Sequence, residues 1–240
     1  MAGSKYKTIN KAIGQAHHRY NMIADGDRIC VGVSGGKDSL TLLWFLTERL
    51  SRIPIHYTLY PCYIDPGFEN GFSDALATFC ENNNWALKIE YTDYGVVAHS
   101  EQNRENPCFL CSRLRRKRLF EICAELGCNK LALGHNKDDI IESLFLNMCY
   151  SGEISTMKPF MPMFDGQVTI LRPLAFVEEK DTRRFSDEQG FPRFENPCPE
   201  AHISKRKEIK DLLAQLYKSN KKIKGNLFRS LSNVKTDYLL

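Results

Sequence analysis

An open, doubly wound α/β sheet, parallel through most of its strands, is the fold this sequence predicts, with a helix ahead of it and a helical extension behind. Three observations lead there. Residues 28–33 form a β-branched run that stops at Ser34-Gly35-Gly36 and restarts as Lys37-Asp38-Ser39-Leu40-Thr41-Leu42-Leu43-Trp44, which reads as strand, tight loop and helix. Short apolar runs then alternate with helix-length periodic segments as far as residue 150, the pattern of successive β-α-β units. The length, 240 residues, suits one such sheet with modest additions.

The elements follow in order. Tyr6, Ile9, Ala12, Ile13, Ala16 and Tyr20 recur at helical spacing, so residues 5–22 are expected to form a lead-in helix that Asp25-Gly26 ends. Strand one covers 28–34 and helix one 38–51; strand two covers 55–64, closed by Asp65-Pro66-Gly67. A helix over 71–83 and a strand over 85–91 come next, and 92–107 read as loop. A third crossover helix begins near Cys108 and runs to about 126, followed by a strand at 130–134 and a helix at 137–150. Residues 159–164 and 167–171, joined at Asp165-Gly166, look like a hairpin. A helix at 178–189, a proline-rich loop at 191–199, a basic helix at 202–219 and a capping segment at 228–234 complete the chain. The expected organisation is an N-terminal helix (1–24), a nucleotide-binding domain (25–177) and a C-terminal extension (178–240).

Composition bounds the class. No apolar stretch approaches the ~20 residues that span a bilayer, and the first residues lack a signal-peptide core, so a cytoplasmic protein without a membrane partner is expected. Nine cysteines is a high count. Six of them (Cys30, Cys62, Cys80, Cys123, Cys128, Cys149) are isolated in apolar runs, where a reduced thiol packs as a small core residue. The net charge of +4 is small, but Arg113, Arg115, Arg116, Lys117 and Arg118 are crowded together, as are Lys205 to Lys224. Such runs are either solvated helix faces or surfaces that track nucleic-acid phosphates.

The Ser-Gly-Gly-Lys-Asp-Ser loop puts backbone N–H groups and a lysine at a helix N-terminus, an anion site. It fails the G-x-x-x-x-G-K-[ST] pattern, because Val31 stands at the first glycine position and Asp38 follows the lysine. It resembles instead the pyrophosphate loop of the ATP-pyrophosphatases, which cleave ATP between its α and β phosphates. The tetrapeptide Glu-Asn-Pro-Cys occurs twice, at Glu105–Cys108 and Glu195–Cys198, and Cys111 completes a C-x-x-C at a helix start. There the helix dipole is expected to lower the thiol pKa values, which suits a metal, an iron–sulfur cluster or a redox pair. A closed zinc site needs four ligands, and only His202 lies near Cys198 to complete a Cys3His set. Three cysteines on two loops fit better a [4Fe-4S] cluster with one iron left open.

These motifs, with Cys108-Phe-Leu-Cys111-Ser-Arg-Leu-Arg-Arg116, Leu133-Gly-His-Asn-Lys-Asp-Asp139, Leu171-Arg-Pro-Leu174 and the single downstream Cys198, resemble the tRNA 2-thiocytidine synthetase family of the PP-loop superfamily. Their order matches, over nearly the whole chain; one departure is His135-Asn136, where the family often has two histidines. The resemblance implies an adenine-nucleotide α-hydrolase-like fold and ATP-dependent sulfur insertion into a tRNA pyrimidine. It further implies ATP, Mg²⁺ and a [4Fe-4S] cluster as cofactors, tRNA as partner, and a sulfide donor such as a cysteine desulfurase. A homodimer is left open. In these roles Ser34, Gly35, Gly36, Lys37 and Ser39 would hold the leaving pyrophosphate, and Asp38 would anchor Mg²⁺ or the lysine. Cys108, Cys111 and Cys198 would hold the cluster, while Gly134, His135 and Asp139 (or Asp138) would reach the nucleotide and its Mg²⁺. Asp65 is read as a nucleoside-pocket or turn residue, and Arg113, Arg115 and Arg116, with Arg172 behind them, as contacts to RNA or phosphate. Three competing readings keep other chemistry open: thiolation of a free base or small molecule, amination on the same loop with ammonia, and a zinc-stabilised RNA-binding module.

Overall fold

The computed structural model describes residues 4–200 and 205–238. Strands β1 (Arg28–Gly32), β2 (Thr58–Asp65), β3 (Lys88–Tyr91), β4 (Lys130–Leu133), β5 (Phe160–Met163) and β6 (Val168–Leu171) make one six-stranded sheet in the order β3-β2-β1-β4-β6-β5. Every neighbouring pair is parallel except the β5–β6 hairpin, whose turn at Phe164 and Asp165 adopts positive φ. The chain winds outward from β1 to β3 and then resumes on the other side of β1 at β4. That reversal makes the β1/β4 edge the switch point, where sheets of this kind bind ligands beyond the strand ends.

Helices α1 (Ser4–Tyr20), α2 (Lys37–Arg49), α3 (Ser73–Asn82) and α7 (Glu179–Glu188) cover one face of the sheet. Tyr6 stacks on Phe45 and Phe185 closes on Phe45 and Trp44, each of these rings at 5.0–5.6 Å, so α1 and α7 are both seated on α2. Helix α5 (Pro107–Glu125) covers the other face through Ile122 and Cys123, packed with Cys30, Cys62, Leu131 and Ile170. Burial of both sheet faces is what a parallel sheet requires.

Contacts divide the chain into two units. The first holds residues 4–136 and 158–200, including the whole sheet. The second holds residues 137–157 and 205–238: α6 (Lys137–Leu146), α8 (Lys205–Ser219) and α9 (Ile223–Ser230), closed on Ile141, Ile209 and Leu213.

The doubly wound sheet, its lead-in helix, the hairpin, α7 and the basic helix α8 are as the sequence predicts. Four local expectations are corrected. Residues 92–107 are not all loop, because Tyr94–Ala98 winds into the short helix α4. The helix expected to reach residue 150 ends as α helix at Leu146 and continues as a π turn over Asn147–Ser151. That turn leaves Cys149 exposed instead of in a core. The expected capping segment is preceded by an unforeseen helix, α9, which ends at Ser230. His202 and the first residues of the basic helix lie outside the described residues.

Candidate nucleotide and thiol site

The loop after β1 is organised by its own polar groups. Ser39 Oγ accepts the Ser34 N–H (3.0 Å) and donates to the Gly36 carbonyl (2.9 Å), and it lies 3.2 Å from Ser34 Oγ. Gly35 takes φ +74°, and a Cβ there would come within 2.5 Å of the Phe72 ring and 3.2 Å of Phe194. Gly36 caps α2 with extended backbone and without a side-chain hydrogen bond, so no side chain occupies the helix N-terminus. The Lys37 ammonium sits 2.8 Å from Asp38 Oδ2 and 3.1 Å from Glu179 Oε1. Burial works to lower its pKa, but these two carboxylates outweigh burial and hold it above the ordinary lysine value. Asp38 in turn accepts a hydrogen bond from Thr182 Oγ1. Asp38 is thus paired with Lys37 through one carboxylate oxygen and with Thr182 through the other.

The loop after β4 lies alongside. A Cβ on Gly134 would meet Ser39 N at 2.9 Å and the Asp38 carbonyl carbon at 3.0 Å, so only glycine lets β4 end against the first turn of α2. His135 Nδ1 lies 3.2 Å from Arg172 Nε, whose guanidinium also donates to the Lys158 carbonyl. The arginine can only donate, so Nδ1 accepts and the imidazole is neutral with its proton on Nε2. Arg172 is buried and held in this role beneath the site. Asp65 closes its own turn: its carboxylate accepts from Ser73 Oγ and from Gly67 N (2.8 Å). Asp138 and Asp139 belong to the second unit, where they meet Lys224 and Arg206.

The two Glu-Asn-Pro-Cys segments fold differently. Asn106 is the N-cap of α5, accepting the Phe109 N–H at 3.1 Å with Pro107 at the first helical position. Asn196 instead accepts the N–H of Cys198 at 3.1 Å within a non-helical loop. Cys198 bears electrostatically on both Cys108 and Cys111. Burial, a hydrogen bond to Glu200, and the charges of Glu200, Cys198 and Cys111 push the Cys108 thiol up to about 11. Cys111 is also raised, chiefly by burial, although Arg115 pulls it down. The lowering expected at this helix start is not what these two thiols show: burial raises both, and Glu200 adds to it at Cys108. Such thiols lose their protons when a cation arrives to hold the thiolates. Cys198 Sγ lies 3.9 Å from His99 Nε2, and His99 Nδ1 is 2.8 Å from the Gly95 carbonyl. Among the described residues no three acidic, histidine or cysteine side chains are placed to hold a single metal ion.

Of the arginines after Cys111, Arg115 bears electrostatically on the Cys111 thiol and keeps a buried Nε without a hydrogen-bond partner. Arg113 pairs with Glu105 (2.8 Å) and lies over the Phe109 ring, Arg116 is exposed, and Arg118 is taken up by Glu90, Glu121 and Glu125. Phe194 stacks on Phe72 (4.9 Å, 15°), and Phe72 stacks on Tyr63. This column ties the loop that carries Cys198 to the turn beside Gly35. Sequence reasoning missed His99, Phe72, Phe194, Glu179 and Thr182. Only Phe194, just ahead of the second Glu-Asn-Pro-Cys, lay beside a signal.

The PP-loop domain family matches residues 5–216. A tRNA-cytidine(32) 2-sulfurtransferase of Geobacter sulfurreducens is 40% identical over 239 residues, covering 98% of this chain and 93% of the relative. The chain belongs to this family of PP-loop sulfurtransferases. Its similarity extends to the same enzyme of Geotalea daltonii, 39% identical with 98% and 94% of the two chains covered. Among solved structures, the U34-tRNA thiolase NcsA from Methanococcus maripaludis, with its [4Fe-4S] cluster, superposes with a TM-score of 0.80 at 26% identity. That match covers 95% of this chain and 78% of that one. The NH3-dependent NAD synthetase from Campylobacter jejuni shares the fold at a TM-score of 0.54 and 16% identity, covering 99% and 95%. The family expected from the motifs is the family found. No described helix is long and apolar enough to cross a membrane.

Proposed function

We propose that the chain thiolates a tRNA cytidine at the expense of ATP, by adenylation of the base oxygen followed by sulfur transfer. The observation that carries the reading is the aromatic column: Phe194, four residues before Cys198, stacks on the ring that abuts Gly35, so the nucleotide loop and the third thiol share one wall of the first unit. The cytidine 2-sulfurtransferase relatives and the cluster of the archaeal thiolase support it.

The oxygen of a pyrimidine carbonyl is a poor leaving group. The N–H groups of Gly35 and Gly36 and the Lys37 ammonium would neutralise the pyrophosphate as the base oxygen attacks the α-phosphorus. Asp38, beside Lys37, is the carboxylate assigned to the Mg²⁺ of the nucleotide. Arg115, whose charge reaches both Cys111 and Tyr63 and whose buried Nε has no partner, would hold the adenylate phosphate. Sulfur then bonds to the base carbon, the carbon–oxygen bond breaks, and AMP leaves with that oxygen. Cys108 and Cys111, on one turn of α5, with Cys198 bearing on both, would hold a [4Fe-4S] cluster through three thiolates. When bound, that cluster supplies an iron open to an exogenous sulfur atom. The protein's part is to keep the three thiolates, with His99 behind Cys198, on the nucleotide side of the sheet edge. RNA backbone is assigned to the second unit, where Lys218, Lys221 and Lys222 are exposed.

The test is pyrophosphate release from ATP by anaerobically prepared protein, with and without tRNA lacking thiolation. Strong stimulation by tRNA is expected. Release indifferent to tRNA would transfer the chemistry to a small-molecule acceptor, and no release with cluster-loaded protein would end the adenylation reading.

A further inference from the structure

The loop's lysine is held by a residue far away in sequence. Glu179 opens α7, and its Oε1 lies 3.1 Å from Lys37 Nζ with the carboxylate only about one-sixth exposed. Its own position is fixed twice: Arg183 donates to the same oxygen at 2.9 Å, and Thr182 Oγ1, within reach of the Glu179 carbonyl (3.0 Å), bonds Asp38. The helix that carries it cannot drift, because Phe185 is wedged against Trp44 and Phe45 of α2, each at 5.0 Å. Lys37 thus stands between two carboxylates, its ammonium already taken up where a polyphosphate is to bind. A polyphosphate that needs this ammonium has to take it from Glu179.

We propose that Glu179 is a positioning residue that holds Lys37 in the nucleotide-free loop and gives it up to a phosphate oxygen when a polyphosphate enters. The inference rests on the ATP reading of the loop. It makes the first turn of α7 a working part of that loop: Thr182 fixes Asp38 while Glu179 exchanges. No proton moves and no bond is made or broken. The exchange is one of ion-pair partners, and the apparent affinity for the polyphosphate is reduced by the fraction of lysine already held.

The experiment uses the full-length protein with inorganic pyrophosphate as the probe, titrated calorimetrically without Mg²⁺. Glu179→Gln should bind pyrophosphate about fivefold more tightly than the parent, the size of a partly exposed ion pair. A second readout follows Lys37 itself: its acylation at alkaline pH, scored by peptide mass, should be faster in Glu179→Gln and suppressed by pyrophosphate. The neighbouring Glu178→Gln should alter neither, and Glu179→Ala should repeat the tightening. Unchanged or weaker pyrophosphate binding in a folded Glu179→Gln protein would overturn the inference while leaving the ATP reading intact. Parent and variants that all fail to bind pyrophosphate would overturn both.

Discussion

Replacing Gly134 by alanine tests whether the edge between β1 and β4 is built to backbone tolerance. The added Cβ would lie 2.9 Å from Ser39 N and 3.0 Å from both the Asp38 carbonyl carbon and Ser39 Cα. Ordinary contacts of this kind begin at 3.4 Å, so the end of β4 and the first turn of α2 have to separate by about half an ångström. All three obstructing atoms are backbone, and no rotamer change relieves them. Overpacking of this kind costs about 1–3 kcal/mol. The same displacement moves the N–H groups that face the phosphates, and a loss of about tenfold in ATP turnover is expected, since misplacement by 1 Å is worth roughly a hundredfold. Urea unfolding gives the first quantity and pyrophosphate release the second. Gly14→Ala is the control: the site lies inside α1, nothing stands within 4 Å, and a gain of about 0.5–1 kcal/mol is expected. A Gly134→Ala protein as stable and as active as its parent would refute the argument.

Other substitutions probe separate parts. Burial, and after it the charge of Asp139, push the Glu142 carboxyl up to about 7, against the pull of Arg206 and Lys210. The folded state therefore binds the extra proton, and the second unit loses stability as the pH rises from about 4.5 through 7, by up to about 3 kcal/mol. Glu142→Gln should flatten that slope in urea titrations at pH 5 and pH 8, and an identical slope in both proteins would contradict the assignment. Asn106→Ala removes the cap of α5 and should cost about 1 kcal/mol in the same assay. Cys198→Ala should leave a folded protein that is colourless and inactive after anaerobic reconstitution with iron and sulfide. Retention of both colour and activity would remove Cys198 from the cluster.

The sheet could be read from the sequence because each of its strands is short, apolar and bounded by turn residues, and the nucleotide loop because a hexapeptide carried it. Helix α4 could not: Tyr94–Ala98 is a single short turn set in a polar stretch, with no room for a period to show. His99, at its end, had no partner to name it until the loop of Cys198 folded back onto it. Glu179 and Thr182 were invisible for the same reason, since their partners Lys37 and Asp38 lie in another strand–helix unit and no motif spans the gap. The thiol pKa values went the wrong way because a helix terminus is local and legible, whereas burial and Glu200 belong to the tertiary structure. Cys149 was misplaced because a π turn rotates the side chains after Leu146 away from the period that precedes them.

The division of the cysteines has a consequence for the order in which the protein is made. Cys30, Cys62, Cys80, Cys123 and Cys128 are buried in the folded chain, and burial pushes the Cys80 and Cys128 thiols up to about 11 and about 12. Cys108, Cys111, Cys149 and Cys198 stay at least partly open to solvent. An unfolded chain offers iron nine thiols, five of which the folded chain closes away in its two cores. A folded chain offers four, Cys108, Cys111, Cys149 and Cys198. Folding is thus the step that sorts the sulfur, narrowing the thiols within reach of any metal from nine to four.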